Sequence, residues 1–193
     1  MKNKILVIFF ISILFSSIIY KFTLNNNKYI LILGDNYFKS SYNKDYIYFL
    51  KEKYRNVNNL LTEENDTYEN IINKIKKNYK ISLKKNNIYL NQEISKADYI
   101  IISANNKEFN EKCNKYVNVK NKYIKKVDSN ITELIYLINK ISTSKIIIMD
   151  SSCTKENKSY NYINIKSERK YKNELSLKEN YELYGKIINE IED

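Results

Sequence analysis

Apolar residues fall along the chain in two periods. Tyr29–Leu33 (YILIL), Asp98–Ser103 (DYIIIS) and Lys145–Met149 (KIIIM) are continuous apolar runs, which read as strands buried on both faces. Tyr162–Ile165 predicts a short fourth strand. The segments between follow helical spacing. Asp45–Tyr54 and Thr67–Tyr79 predict helices, the second with Ile71, Ile72 and Ile75 on one face and lysines elsewhere. Ile124–Ile141 predicts a long amphipathic helix with Ile131, Leu134, Ile135 and Ile138 inward. Lys178–Ile191 predicts a closing helix with Leu183, Ile187, Ile188 and Ile191 inward. Val57–Leu61 fits a further strand, and Asn87–Leu90 fits neither period cleanly. Strands that alternate with helices imply an α/β fold whose parallel sheet is covered on both faces. Ligands of such sheets sit at the carboxyl ends of strands, here after Leu33, Ser103 and Met149 and before Lys178.

The N-terminus has a different pattern. Lys2 and Lys4 precede an apolar run, Ile5–Tyr20, interrupted only by Ser12, Ser16 and Ser17 and closed by Lys21. This reads as a signal anchor with its N-terminus inside and the domain outside. A helix over the run is about 24 Å long at ~1.5 Å per residue. That is short for a hydrocarbon core of ~30 Å, but Lys4 and Lys21 can snorkel. No small-x-small cleavage site follows, so an uncleaved anchor is favoured over secretion after cleavage. The expected organisation is an anchor or signal peptide over 1–21, a tether over 22–27 and one domain over 28–193. Export would permit a Cys113–Cys153 disulfide, and two unpaired thiols fit the sequence equally well.

Composition narrows the chemistry. The chain has no Pro, Trp or His, only Gly34 and Gly185, and 19 Tyr. Asn, Lys, Ile and Tyr have AT-rich codons, so base composition accounts for most of the bias and the tyrosines are no binding signature. Without histidine, this chain cannot by itself build a Ser-His-Asp or Cys-His system, or a histidine-ligated metal site. No metal or cofactor is expected. The net charge of +11 suits an anionic membrane or envelope polymer, or simple solvation. Nucleic acid does not suit an exported domain.

Three strand-end segments carry the remaining information. The first strand ends Leu33-Gly34-Asp35-Asn36, and the second ends Ser103-Ala104-Asn105-Asn106. The last helix is preceded by Asn173-Glu174-Leu175-Ser176. In this order and placement the segments resemble the SGNH (GDSL) hydrolases, over roughly Lys28–Ile191. The family carries G-D-S after the first strand, G-x-N-D after a central strand and D-x-x-H before a C-terminal helix. The resemblance implies a flavodoxin-like three-layer α/β/α sandwich and acyl hydrolysis or transfer on lipids, glycans or small esters. Gly34, Asp35 and Asn105 match. Asn36 stands at the nucleophile, Ser103 at the third-block glycine, Asn106 at its aspartate, and Asn173 and Ser176 at the Asp-His pair. The second-block glycine falls at Thr62–Asp66, where there is none.

The family's serine and histidine are therefore missing. The expectation is a pseudo-hydrolase whose old cleft binds a glycan, an acyl ester or a protein through Asp35, Asn36, Ser103, Asn105, Asn173 and Ser176. Tyr37 and Tyr181 are placed to stack on a sugar. One alternative is a divergent esterase using Ser176, Ser103 or Cys153, with Asp35 and Asp150 near the site. Another is a structural envelope protein holding anionic polymer.

Overall fold

The computed structural model describes residues 13, 27–35, 44–63, 66–83, 86–104, 112, 117–151, 161–165 and 175–192. In chain order the elements are β1 (Tyr29–Asp35), α1 (Tyr46–Lys53), β2 (Asn56–Glu63), α2 (Tyr68–Lys76), β3 (Lys80–Leu83), β4 (Asn86–Tyr89), α3 (Leu90–Lys96), β5 (Tyr99–Ser103), α4 (Val117–Asn139), β6 (Lys145–Ser151), β7 (Asn161–Ile165) and α5 (Leu177–Glu192). Apart from Ile13, the expected anchor and tether up to Asn26 lie outside the described residues. Among the described residues no helix is long and apolar enough to cross a membrane.

The main sheet has five strands in the order β2-β1-β5-β6-β7, all parallel. Alternation along each strand splits the core in two. Leu31, Leu33, Ile100, Ile102 and Ile148 pack against α2, α3 and α4 on one face. Ile30, Ile32, Ile101, Ile147 and Met149 pack against α1 and α5 on the other. The middles of the central strands are therefore apolar on both faces, as a strand covered on both sides requires, and polar residues come at their ends. Each fully buried aliphatic side chain contributes roughly 1.5–3 kcal/mol.

The helices start and stop for identifiable reasons. Asp45 caps α1 by accepting from the Tyr48 N–H, and Thr67 caps α2 by accepting from the Asn70 N–H. Helix α2 ends on Asn78, whose φ of 45° is left-handed. The Asn78 N–H donates to the Ile75 carbonyl and the Tyr79 N–H to the Lys74 carbonyl, closing a Schellman motif. At the end of α5, Lys28 Nζ and the Tyr99 hydroxyl donate to the Ile191 carbonyl, and Lys145 Nζ donates to that of Glu190. These lysines complement the helix dipole and fasten α5 to the amino edge of the sheet.

The structure adds to the sequence pattern in three places. Asn87–Leu90 divides between β4 and α3, and β4 pairs with an unforeseen strand, β3, as a separate antiparallel hairpin. Helix α4 starts at Val117 instead of Ile124, and Tyr123, one residue before the predicted start, already belongs to its buried stripe. The first and third predicted strands run two residues further, to Asp35 and Ser151.

A buried acid ties β1, β2 and α3 together. Glu93 accepts from the Tyr29 hydroxyl, from Asn58 Nδ2 at 2.9 Å and from Lys96 Nζ at 3.0 Å. Burial alone would raise its pKa, but these donors outweigh it and hold Glu93 below the ordinary glutamate value. Burial, and next the bond to Glu93, push the Tyr29 phenol up to about 12. A lowered carboxylate pKa stabilises the fold above the unfolded value, and that contribution fades as pH falls through the folded one. A raised phenol pKa contributes below about pH 10 and is lost towards 12. Glu93→Gln should lower stability at pH 7 by about 1–3 kcal/mol. It should also flatten the acid side of the stability profile below pH 4.5. Denaturant titrations of both proteins across pH measure this.

Candidate functional site at the carboxyl edge of the sheet

Strand order reverses between β1 and β5, the place where open α/β sheets hold their ligands; the residues that follow these two strands, 36–43 and 105–111, lie outside the described residues. Register brings Gly34 beside Ser103 and Ser103 beside Met149. Three of the four strand-end positions expected from sequence therefore lie abreast.

Gly34 determines the geometry here. Its φ is +111°, and a Cβ built on it would lie 1.7 Å from the Ser103 carbonyl oxygen. No side chain fits that gap, and the φ itself disfavours every other residue. The register with β2 also slips at this point: Gly34 faces Leu61, and Asp35 faces Glu63. The bulge turns Asp35 inward. Asp35 is 2 % exposed and Ser103 1 %. Ser103 Oγ donates to Asp35 Oδ1 at 3.2 Å. Alternation puts Ser103 on the side of Ile101, facing α1 and α5.

On that side stands Tyr46, whose buried hydroxyl has no hydrogen-bond partner among the described residues. Burial first, then the charges of Asp45 and Asp35, raise its pKa far above the ordinary tyrosine value. The phenol therefore stays protonated and neutral. The backbone of Tyr46 is held by Asn180, a fully buried side chain of α5. Asn180 Oδ1 accepts from the Tyr46 N–H at 3.1 Å, and its Nδ2 donates to the carbonyls of Leu175 and Ser176 at 3.2 Å each. One amide thus joins the start of α1 to the start of α5. Sequence reasoning missed Asn180. The available signal was a polar residue three positions before Leu183, on the stripe that buries Ile187 and Ile191.

Ser176 caps α5. Its Oγ accepts from the Glu179 N–H at 3.3 Å, while Glu179 Oε2 accepts from the Ser176 N–H at 2.7 Å and from its Oγ at 2.6 Å. This is a capping box, S-x-x-E. The two candidate serines that the structure describes thus each donate to a carboxylate. Neither can be paired with an imidazole, because the chain contains none.

Of the expected site residues, Asp35 and Ser103 are in direct contact, and Ser176 is linked to the same side through Asn180. Asn36, Asn105, Asn106 and Asn173 lie outside the described residues, as do Tyr37, Cys113 and Cys153. Asp150 lies in β6 in register with Asn164 of β7. Tyr181 is 59 % exposed on the outer side of α5, edge-on to Phe49 at 5.4 Å. Among the described residues no group of three or more acidic or cysteine side chains is arranged to hold a metal ion. No protein-family model matches the sequence, and no curated protein matches it significantly.

Gly34→Ala should abolish folding, seen as loss of cooperative thermal unfolding, because the clash is with backbone and nothing nearby can yield. Ser103→Ala should fold but lose roughly 1–3 kcal/mol, since it removes a donor from a buried carboxylate. Ser176→Ala should cost about 1 kcal/mol through the cap.

Proposed function

We propose that this chain is a non-catalytic relative of the SGNH hydrolases, held outside the cell membrane by residues 5–20. On this reading the switch point between the carboxyl ends of β1 and β5 is the old active site, now used to bind a ligand or partner. The strand order supports it, because numbering the five main-sheet strands along the chain gives 2-1-3-4-5, the flavodoxin-like order. The placement of Gly34-Asp35 at the first strand end and of Ser176 at the entry to α5 supports it too.

The observation that carries the loss of catalysis is at Ser176. It occupies the position where the resemblance expects the general base, and its hydroxyl is committed to a helix cap. Asn36, at the nucleophile position, has an amide that forms no ordinary acyl intermediate. A crevice bordered by Asn36, Asn105 and Asn173 would offer amide donors and acceptors suited to the hydroxyls of a glycan. The net charge of +11 favours a second reading, in which the domain holds an anionic envelope polymer. Binding of that kind weakens steeply with salt, whereas binding through crevice amides does not.

The test is hydrolysis of short-chain p-nitrophenyl esters by the full chain, with Asn36→Ala, Ser103→Ala and Ser176→Ala alongside. The expected result is the same rate for all four proteins, equal to the buffer rate. Turnover above buffer would overturn the non-catalytic reading, whether or not one of these substitutions removes it.

A further inference from the structure

The five strands of the main sheet all start at one edge, and a cavity of about 480 Å³ opens there between the starts of β1, β5 and β6. It lies at the opposite end of the strands from Asp35 and Ser103, so it stands whether or not the switch-point reading holds. Lys28 lines it just before β1, and Lys145 lines it as the first residue of β6. Their ammonium groups donate to consecutive carbonyls of α5, Lys28 Nζ to Ile191 at 2.8 Å and Lys145 Nζ to Glu190 at 2.7 Å. The two positive charges therefore converge across β5 instead of splaying into solvent. Both side chains are half-buried, and neither forms an ion pair with a described residue.

An ammonium has three N–H groups to donate. The bond to Glu190 is the only one Lys145 makes among the described residues, which leaves two donors. Lys28 also reaches the Tyr99 hydroxyl at 3.4 Å and lies over the Tyr99 ring, which leaves at most one. Thr143 is exposed on the turn from α4 into β6, and neither its N–H nor its hydroxyl has a partner among the described residues. The rest of that turn is fixed: Ser142 Oγ meets Ser144 Oγ, and Ser144 Oγ donates to the Ala97 carbonyl. Asp98 is the only acid among the described lining residues, and its Oδ2 already accepts from the Tyr29 N–H at 2.7 Å. The α5 carbonyls nearest the lysines, which would repel an anion, are covered by those lysines and by the Tyr99 hydroxyl.

We propose that this amino-edge cavity binds a phosphate group, with its oxygens on Lys145, Lys28 and the N–H and hydroxyl of Thr143. Lysine binds phosphate as a point charge, and donors that converge from two sides suit an anion with several oxygens on one centre. The lining has no apolar floor beyond Ala97 and the Tyr99 ring, so the body that carries the phosphate is polar. The volume falls within the roughly 300–1,000 Å³ typical of small-molecule sites. A free phosphate ester and the headgroup of a membrane lipid share this chemistry, and Asn27 on the lining adjoins the expected tether.

The test is isothermal titration of the full chain with glycerol phosphate, dihexanoylphosphatidylglycerol and acetate, with Lys145→Gln and Thr143→Glu alongside. A glutamine at the first position can still donate to the Glu190 carbonyl but lacks the charge. Thr143 is exposed, so a carboxylate there repels the anion and spares the core. Both variants keep the N-terminal apolar run, so any uptake of lipid by that run is the same in every titration. Saturable binding of at least one phosphate compound is expected, weakened about ten-fold or more by each substitution. Tighter glycerol phosphate assigns the site to a free ester, and tighter lipid assigns it to a headgroup. A thermal melt of each variant verifies folding. If Lys145→Gln does not fold, Thr143→Glu decides. Absence of saturable binding by both phosphate compounds, or binding that either folded variant leaves intact, overturns the site. Acetate binding as tightly as the better phosphate compound overturns the choice of phosphate.

Discussion

Gly34 and Ser103 approach so closely that no Cβ fits between the two strands at that point. Strand β1 has neighbours on both sides, β2 and β5, so its course at Gly34 is felt across the sheet. The left-handed φ at Gly34 coincides with a register slip against β2, where Thr62 is passed over between Leu61 and Glu63. Asp35 is thereby turned into the protein, where Ser103 can reach it. Gly185 makes the contrast. Among the described residues nothing lies within 4 Å of where its Cβ would stand, so a side chain would meet none of them there. Of two glycines with the same intrinsic freedom, only one is required by what surrounds it.

The legible parts of the fold were those whose burial is complete. Strands β5 and β6 are sandwiched between helices and read as near-unbroken isoleucine. Helices α2 and α5 each bury one narrow stripe and, Asn180 apart, leave lysine, glutamate and asparagine outside. Where burial is partial, the pattern thins. Edge strand β2 reads NVNNLLTE, and its pairing with β1 more than its apolarity makes it a strand. Helix α3 has only Leu90 and Ile94 to show within seven residues, too few to establish a period. Strand β3 is KISL, with no neighbour in the main sheet. The chain has no proline and only two glycines, so few residues mark where elements begin and end. That is why α4 starts a full two turns earlier than its isoleucines suggest.

The candidate site was legible for a related reason. Strand ends are fixed once strands are, so Asp35 and Ser103 could be named in advance. Asn180 could not, because a polar residue in a helix reads as solvent-facing until the opposite element is known. Its partner, the Tyr46 N–H, lies far away in sequence. The cavity at the amino edge depends on where Lys28 and Lys145 meet the end of α5, and the apolar period of the chain carries no signal for that.

A chain without histidine must still neutralise the acids it buries, and how it does so bears on what those acids can do. Asp35 receives a hydroxyl from Ser103. Asp66 receives an ammonium and a backbone N–H. Glu93 receives a phenol, an amide and an ammonium, and its pKa falls despite burial. A general base must be able to accept a proton from a substrate, with a pKa near the working pH. Glu93 is held the opposite way, as a saturated acceptor that resists protonation. Asp66 is likewise bonded at both oxygens, and Asp35 is closed from solvent by its own serine. Acids satisfied in this manner stabilise the fold and shape the walls of cavities.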